Sequence, residues 1–142
     1  MISHLNKKNK AKIVDIGNKK ITRRIAIAES TIQFSKSTFK KIESLKTKKG
    51  EIKSIAIISG IMAAKKTSDL IPLCHNIEIE NINIDIKSLN KLSSLKVIST
   101  VKSKSKTGVE MEALTAVSIA CLTIYDMCKS LDKNIVIKNT HL

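Results

Sequence analysis

The longest stretch of this chain without a charged residue runs from Ala113 to Tyr125, in a protein where 27% of the residues are charged. It is too short to span a bilayer, which takes about 20 predominantly apolar residues in a helix. The stretch therefore predicts a buried helix, which we extend from Val109 to about Leu131. The rest of the fold has to accommodate this helix in its core.

Shorter patterns flank this helix. Period-two alternation predicts strands, and apolar residues three or four apart predict amphipathic helices. In chain order we expect a strand over 21–28, a helix from Ser37, a helix over 52–63, a loop over 65–75, strands over 77–87 and 95–101, the long helix, and a strand over 135–137. A change of apolar phase at Asn81 predicts a bulge. The order β-α-α-β-β-α-β predicts an α+β fold with helices on one face of an antiparallel sheet.

Length and cysteine content limit the organisation of the chain. A length of 142 residues fits one domain, which we place at 13–142 behind a Lys-rich, mobile arm over 1–12. The three cysteines show no CxxC spacing, so neither a disulfide framework nor a zinc site is predicted. There is no N-terminal apolar segment of the signal-peptide type. We expect a soluble, cytoplasmic protein without a membrane partner.

The net charge of +14 suggests a polyanionic partner, either nucleic acid or a phosphorylated small molecule. Aromatic residues make up only 2% of the chain, which counts against a single-strand binder that stacks bases. The charge is also uneven, because residues 1–49 carry 14 basic and three acidic side chains. A nucleic-acid-binding module therefore ranks last among the functions considered, and we expect no nucleic-acid partner.

The predicted loop ends in Leu73, Cys74 and His75, directly before a strand. Adjacent cysteine and histidine can form a metal site or a nucleophile with its base. Neighbours on an extended chain point to opposite sides, however, so the two cannot face one ligand without a kink. For Cys74 a structural role as a small buried side chain is favoured. For His75 the position at a loop–strand junction favours function.

Acidic residues mark both ends of the long helix. Thr107 and Glu110 have the spacing of a capping box, whereas Glu112 is harder to explain as a cap. Asp126 interrupts the apolar part, where an unpaired carboxylate is costly, and Lys129 lies one turn later. The pair is either a surface ion pair or an acid–base pair, and this pattern leaves both open.

Distance along the helix separates these two groups. Glu112 and Asp126 share a face to within about 40° but lie about 21 Å apart along the axis. The two ends would contact one small substrate only if a second chain brought its own helix or loop alongside. The uncharged stretch Ala113–Tyr125 would be that contact or, alternatively, simply core.

Two blocks of the sequence are distinctive: GIMAAKKTSDLIPLCH (Gly60–His75) and TGVEMEALTAVSIACLTIYDMCK (Thr107–Lys129). Both closely resemble the MoaC family, the cyclic pyranopterin monophosphate synthases of molybdenum cofactor (molybdopterin) biosynthesis. The resemblance implies a ferredoxin-like α+β fold and a homohexamer, a trimer of dimers with active sites at subunit interfaces. It implies a lyase that rearranges cyclised dihydro-GTP to cyclic pyranopterin monophosphate and releases diphosphate.

The resemblance also assigns roles to individual residues. Catalytic roles fall on Asp126, Lys129 and Lys49. Substrate contacts fall on Arg24, Lys65, Leu73, Cys74, His75, Glu110, Met111 and Glu112. We expect no metal ligands and no required cofactor, although Mg²⁺ can accompany the triphosphate.

The sequence departs from the family pattern at three places. Asn76 stands where the family usually has proline, and Lys65-Lys66 replaces a Lys-Arg pair. Family members commonly continue into a Gly/Lys-rich tail with an active-site lysine, whereas this sequence ends at Leu142. The alternative function is therefore a catalytically weakened paralogue that keeps the oligomeric scaffold and binds a nucleotide or a partner protein.

Overall fold

The computed structural model describes residues 3–44 and 52–142. Its elements follow the order β1 (Thr22–Gln33), α1 (Lys36–Ser44), α2 (Ile52–Lys65), α3 (Thr67–Leu70), β2 (Asn81–Leu89), β3 (Ser94–Ser105), α4 (Glu110–Cys128) and β4 (Val136–His141). A single 3-10 turn, Asn90–Leu92, closes the hairpin between β2 and β3. The predicted order of strands and longer helices is confirmed.

The four strands form one antiparallel sheet in the order β2-β3-β1-β4. The strands adjacent in sequence, β2 and β3, form a hairpin, and β1 lies in the middle beside β3 and β4. Helices α2 and α4 pack on one face, α4 mainly over β1 and β3 and α2 over β2. This arrangement is the expected ferredoxin-like α+β fold.

Small side chains let α4 lie close to the sheet. On β1, Ala26 and Ala28 are buried beneath the helix, while Ile25 and Ile27 point to the open face and are 63% and 56% exposed. The helix contributes a buried stripe of Ala113, Ala116, Val117, Ala120, Cys121 and Ile124. One side of the uncharged stretch is therefore core, as the second of its two interpretations held.

Three predictions for residues 65–87 differ in detail from the structure. The loop predicted over 65–75 contains the short helix α3, which follows its N-cap residue Lys66 and ends at Leu70. The bulge predicted at Asn81 is wrong, because β2 begins there and pairs with β3 without a break in register. Residues 77–80 lie outside the ladder, and their backbone is held partly by Ser103, whose Oγ donates to the Glu78 carbonyl. The isoleucines before Asn81 and those after it therefore alternate in opposite phases because they belong to two separate segments, one preceding β2 and one within it.

The N-terminal segment forms a local hairpin in which Leu5 and Ala11 make an antiparallel bridge. The Asn6 side chain accepts hydrogen bonds from the backbone N–H groups of Lys8 and Lys10. The mobility of this arm and the domain boundary after residue 12 stay predictions.

Helix α4 is long and apolar enough, by length and composition, to cross a membrane. In this fold, however, its buried side chains face the sheet and α2. It is the core helix that the uncharged stretch predicted, although it ends at Cys128 rather than near Leu131.

Candidate active site at the two ends of helix α4

The first turn of α4 carries Glu110, Met111 and Glu112 to one end of the sheet. Glu112 is buried at 4% exposure, whereas Glu110 and Met111 are exposed. The pKa of the Glu112 carboxyl is raised, chiefly by burial, and the nearby charge of Glu110 raises it further. A buried carboxyl that resists ionisation is typical of functional sites.

The capping box predicted for Thr107 and Glu110 is wrong. The N-cap is Val109, and no side chain caps the helix. The Glu110 carboxylate instead folds back over Gly108, in the space that a Cβ atom of that residue would occupy. Glu110 is thus not needed as a cap in this structure.

Cys74 and His75 have different partners, as their adjacency predicted. Cys74 is half-buried, and burial first and the Glu112 charge second raise the pKa of its thiol. A raised pKa disfavours the thiolate, which agrees with the structural role preferred for Cys74. His75 is also half-buried, and its Nε2 lies 2.7 Å from the backbone oxygen of Val14. Leu73 is half-buried beside them in the chain.

The two predicted phosphate-binding cations of the described chain lie at the same end of the sheet. Arg24 stands near the start of β1, opposite Ser103, and its buried Nε makes no hydrogen bond to any described residue. It lines a small cavity of about 190 Å³ together with Glu80 and Lys102. Lys65 ends α2 and lines an open pocket of about 440 Å³ with Ile77 and Asn81.

Topology explains why these segments meet. The start of β1 pairs with the end of β3, and the start of β2 pairs with β3 three residues before that end. The loop from β3 to α4 is short, so the first turn of α4 stays at this end of the sheet. We call this group the helix-start cluster; it comprises Arg24, Lys65, Leu73, Cys74, His75, Glu110, Met111 and Glu112.

Asp126 and Lys129 form a second group, the helix-end pair. Lys129 Nζ lies 2.6 Å from Asp126 Oδ1, so the predicted pairing is confirmed. Both side chains are exposed, at 71% for Asp126 and 60% for Lys129, so in the single chain they form a surface ion pair, one of the two interpretations left open. The carboxylate points away from the core because α4 buries only the side that faces the sheet and α2.

The helix-end pair borders an open pocket of about 480 Å³. Its walls are Ile119, Leu122, Thr123 and Tyr125. Asp126 is the largest cause of a raised pKa of Lys129, through their hydrogen bond and their opposite charges. The lysine is therefore held in its charged form next to a surface with apolar walls.

One uninterrupted helix separates the two groups. Glu112 and Asp126 both lie on α4, so the two residues are separated by about 21 Å along the helix axis. The chain brings the helix-start cluster together at one end and the helix-end pair at the other. The third predicted catalytic residue, Lys49, lies outside the described residues, as does the turn around it.

Sequence reasoning missed the segment that precedes β1. Val14 contacts His75 through its backbone, and Gly17 accepts a hydrogen bond from Lys106 Nζ at 2.7 Å. Neither contact leaves a motif, because both use backbone oxygens, which any residue type can supply. Within the described ranges, no three His, Cys, Asp or Glu side chains converge as a metal site would require.

Comparison with known proteins identifies the family. Residues 13–142 match the MoaC family. A cyclic pyranopterin monophosphate synthase of Clostridium botulinum (strain Alaska E43 / Type E3) is 52% identical over 99% of this chain and 88% of its own length. Synthases of Lysinibacillus sphaericus (strain C3-41) and Helicobacter pylori (strain G27) are 50% and 48% identical, over 99% and 100% of this chain and 89% and 90% of their own. The chain therefore belongs to the MoaC family.

Proposed function

We propose that this protein is a lyase that converts cyclised dihydro-GTP to cyclic pyranopterin monophosphate and diphosphate in molybdenum cofactor biosynthesis. The observation that carries the proposal is the identity of about half of all residues, over nearly the whole chain, to proteins with that activity in their names. None of these relatives favours the weakened paralogue.

The helix-start cluster has the chemistry to hold the triphosphate. Arg24 and Lys65 supply positive charge at this end, and charge-assisted hydrogen bonds to phosphate are strong. When a substrate hydroxyl attacks the α-phosphorus, the bond from that phosphorus to the bridging oxygen breaks and diphosphate leaves with the electron pair. Cations around the leaving group stabilise the charge that develops there.

The helix-end pair has the chemistry of proton transfer. Asp126 accepts a proton in one step of the ring rearrangement and returns it in another, while Lys129 holds the carboxylate in place. Lys49 is proposed as the third catalytic group on the resemblance alone. The exposure of the pair in the single chain means that another surface has to cover it before water is excluded.

We propose that a second copy of the chain supplies that surface, in a hexamer built as a trimer of dimers. The spacing of about 21 Å along α4 prevents one reacting group from touching both ends of the same helix. Large apolar side chains are exposed on α2, α4 and the open face of the sheet; they include Ile58, Met62, Leu122, Ile25 and Ile27. Exposed apolar patches are typical of protein interfaces. Sedimentation at six times the chain mass of 15.7 kDa would support the hexamer, and a monomer would contradict it.

The remaining expectations follow from the substrate. We propose no resident metal or organic cofactor, with Mg²⁺ bound mainly through the triphosphate when present. Nucleic acid and membrane are not proposed as partners, and the proposed location is the cytoplasm. Activity that persists after dialysis against a chelator and drops no more than severalfold would support the absence of a resident metal.

Single-turnover conversion tests the proposed function. Purified full-length protein in excess over cyclised dihydro-GTP should yield cyclic pyranopterin monophosphate and diphosphate in equal amounts, well above the rate without protein. Tight binding of the substrate without product would instead support the weakened paralogue. Absence of both binding and product would overturn the proposed function.

A further inference from the structure

A segment before β1 bridges the loop that carries His75 and the loop that leads into α4. We call residues 14–17 the N-terminal strap; they precede the first strand and belong to neither helix nor sheet. At one end of the strap, Val14 meets His75, and at the other end Gly17 meets Lys106. These partners are far from the strap in sequence, so the contacts are tertiary.

The contact to His75 determines which ring nitrogen carries the proton. The Nε2 atom lies 2.7 Å from the Val14 backbone oxygen, and a carbonyl oxygen can only accept a hydrogen bond. The Nε2 atom must therefore be the donor. In a neutral imidazole the other nitrogen, Nδ1, then has the lone pair, so it is the atom that can accept a proton or a hydrogen bond from a substrate.

Two further hydrogen bonds hold the strap in shape. The Gly17 N–H donates to Asp15 Oδ1 at 2.8 Å, which closes a turn within the strap. Lys106 Nζ donates to the Gly17 carbonyl at 2.7 Å. Lys106 lies in the loop between β3 and α4, only a few residues before Glu110 and Glu112. One lysine thus links the strap to the loop that leads into the helix-start cluster.

We propose that the N-terminal strap fixes the orientation and tautomer of His75 for substrate contact, and that Lys106 is a positioning residue that holds the strap. The inference rests on the proposed function for the role of His75 as a substrate contact. Lys106 does not itself touch the reacting atoms in this account; it acts through Gly17, Val14 and the imidazole.

The test follows the tautomer and the kinetics together in the full-length protein labelled with ¹⁵N-histidine. The ¹⁵N NMR chemical shifts of the His75 ring should be those of an Nε2–H tautomer. Lys106→Met removes the donor but keeps the aliphatic stem, and it should yield a mixed tautomer and a severalfold higher KM. The matched control is Lys104→Met, an exposed lysine two residues earlier on β3, which should leave both quantities unchanged.

A second variant probes the carbonyl directly. Replacing the peptide bond between Val14 and Asp15 with an ester weakens the Val14 oxygen as an acceptor without changing any side chain. The tautomer of His75 should again become mixed. This change lies in the strap, outside the strands and helices, so the fold should keep its melting temperature.

The possible outcomes distinguish a failure of the strap proposal from a failure of the proposed function. An Nδ1–H tautomer in the unmodified protein would overturn the proposal, as would a Lys106→Met protein that matches Lys104→Met in both tautomer and KM. The tautomer is measured without substrate, so a correct tautomer response in a protein that makes no product would contradict the proposed function and leave the strap's effect on His75 in place.

Discussion

The Nζ atom of Lys129 donates a 2.6 Å hydrogen bond to Oδ1 of Asp126, one turn earlier on α4. The two side chains belong to the helix end, about 21 Å along the axis from Glu112. Their exposure in the single chain would make an ordinary surface ion pair worth little to stability. The pair therefore adds little to the stability of the single chain, and its proposed role in proton transfer has to be tested by its effect on the reaction rate.

Replacing Asp126 with asparagine should lower the single-turnover rate about 100-fold or more, because a positioned acid–base group contributes about 10²–10⁴ in rate. Substrate affinity and oligomer mass should change little. The control is Asp85→Asn, since Asp85 is also exposed and pairs with a lysine, Lys87, on β2. A rate within a few fold of the unmodified protein would remove Asp126 from the mechanism.

Replacing Lys65 with methionine should weaken substrate binding about tenfold, since hydrogen bonds to charged groups contribute about 1.5–3 kcal/mol. Inhibition by free diphosphate should weaken in parallel, because the lysine is proposed to hold the phosphates. Lys91→Met, at the exposed turn between β2 and β3, makes the same change in net charge and should have no such effect. Equal affinities for both variants would show that Lys65 acts only through net charge.

The buried carboxyl of Glu112 should make the stability of the protein depend on pH. Burial raises its pKa above the ordinary 4.5, so the folded protein binds this proton more tightly than the unfolded chain does. The stabilising effect is complete below the unfolded pKa and is lost as pH rises through the folded pKa. Glu112→Gln should therefore raise the urea midpoint relative to the unmodified protein at neutral pH and not below pH 4.5.

The control for Glu112 is Glu78→Gln, which removes the same charge from an exposed position. This variant should show no comparable gain at neutral pH when it is measured at the same protein concentration. If Glu112→Gln instead unfolded at lower urea than the unmodified protein at neutral pH, the carboxylate would be stabilising and the argument from burial would fail.

Gly60 sets how closely α2 approaches α4. A Cβ atom at this position would lie 2.5 Å from Ile84 Cδ1 and 2.9 Å from the carbonyl oxygen of Ala116. Gly60→Ala should therefore destabilise the fold by about 1–3 kcal/mol, as overpacked core substitutions do. Gly108→Ala is the matched change, because there the atoms nearest to the new Cβ belong to the flexible Glu110 carboxylate. Equal melting temperatures for the two variants would contradict this packing argument.

The sequence was most informative where one pattern had one physical solution. The uncharged stretch from Ala113 to Tyr125 predicted a buried helix, and one side of α4 is part of the core of the fold. The sequence pattern was least informative where several different local structures would produce the same pattern. The isoleucines over 77–86 alternate whether or not every residue is paired, so the start of β2 at Asn81 could not be distinguished from a bulge.

Within the candidate site, the pairing of Asp126 with Lys129 was predictable from the sequence, whereas the backbone contacts were not. Asp126 and Lys129 are one turn apart on any helix, so their pairing followed from spacing. Exposure of Asp126 depends on which side of α4 meets the sheet, and that requires the tertiary fold. The contact between His75 and the Val14 carbonyl joins residues 61 positions apart and depends on no side-chain type at Val14.

Co-expression of two differently tagged inactive variants tests most directly whether the active site combines the helix-start cluster of one subunit with the helix-end pair of another. His75→Ala damages the first group and Asp126→Asn the second. Mixed oligomers, purified through both tags and verified by native mass spectrometry, should recover activity at about a quarter of the sites, the share expected for random assembly of a symmetric oligomer. Mixed oligomers no more active than either variant alone would mean that each chain holds a complete site, which contradicts the account.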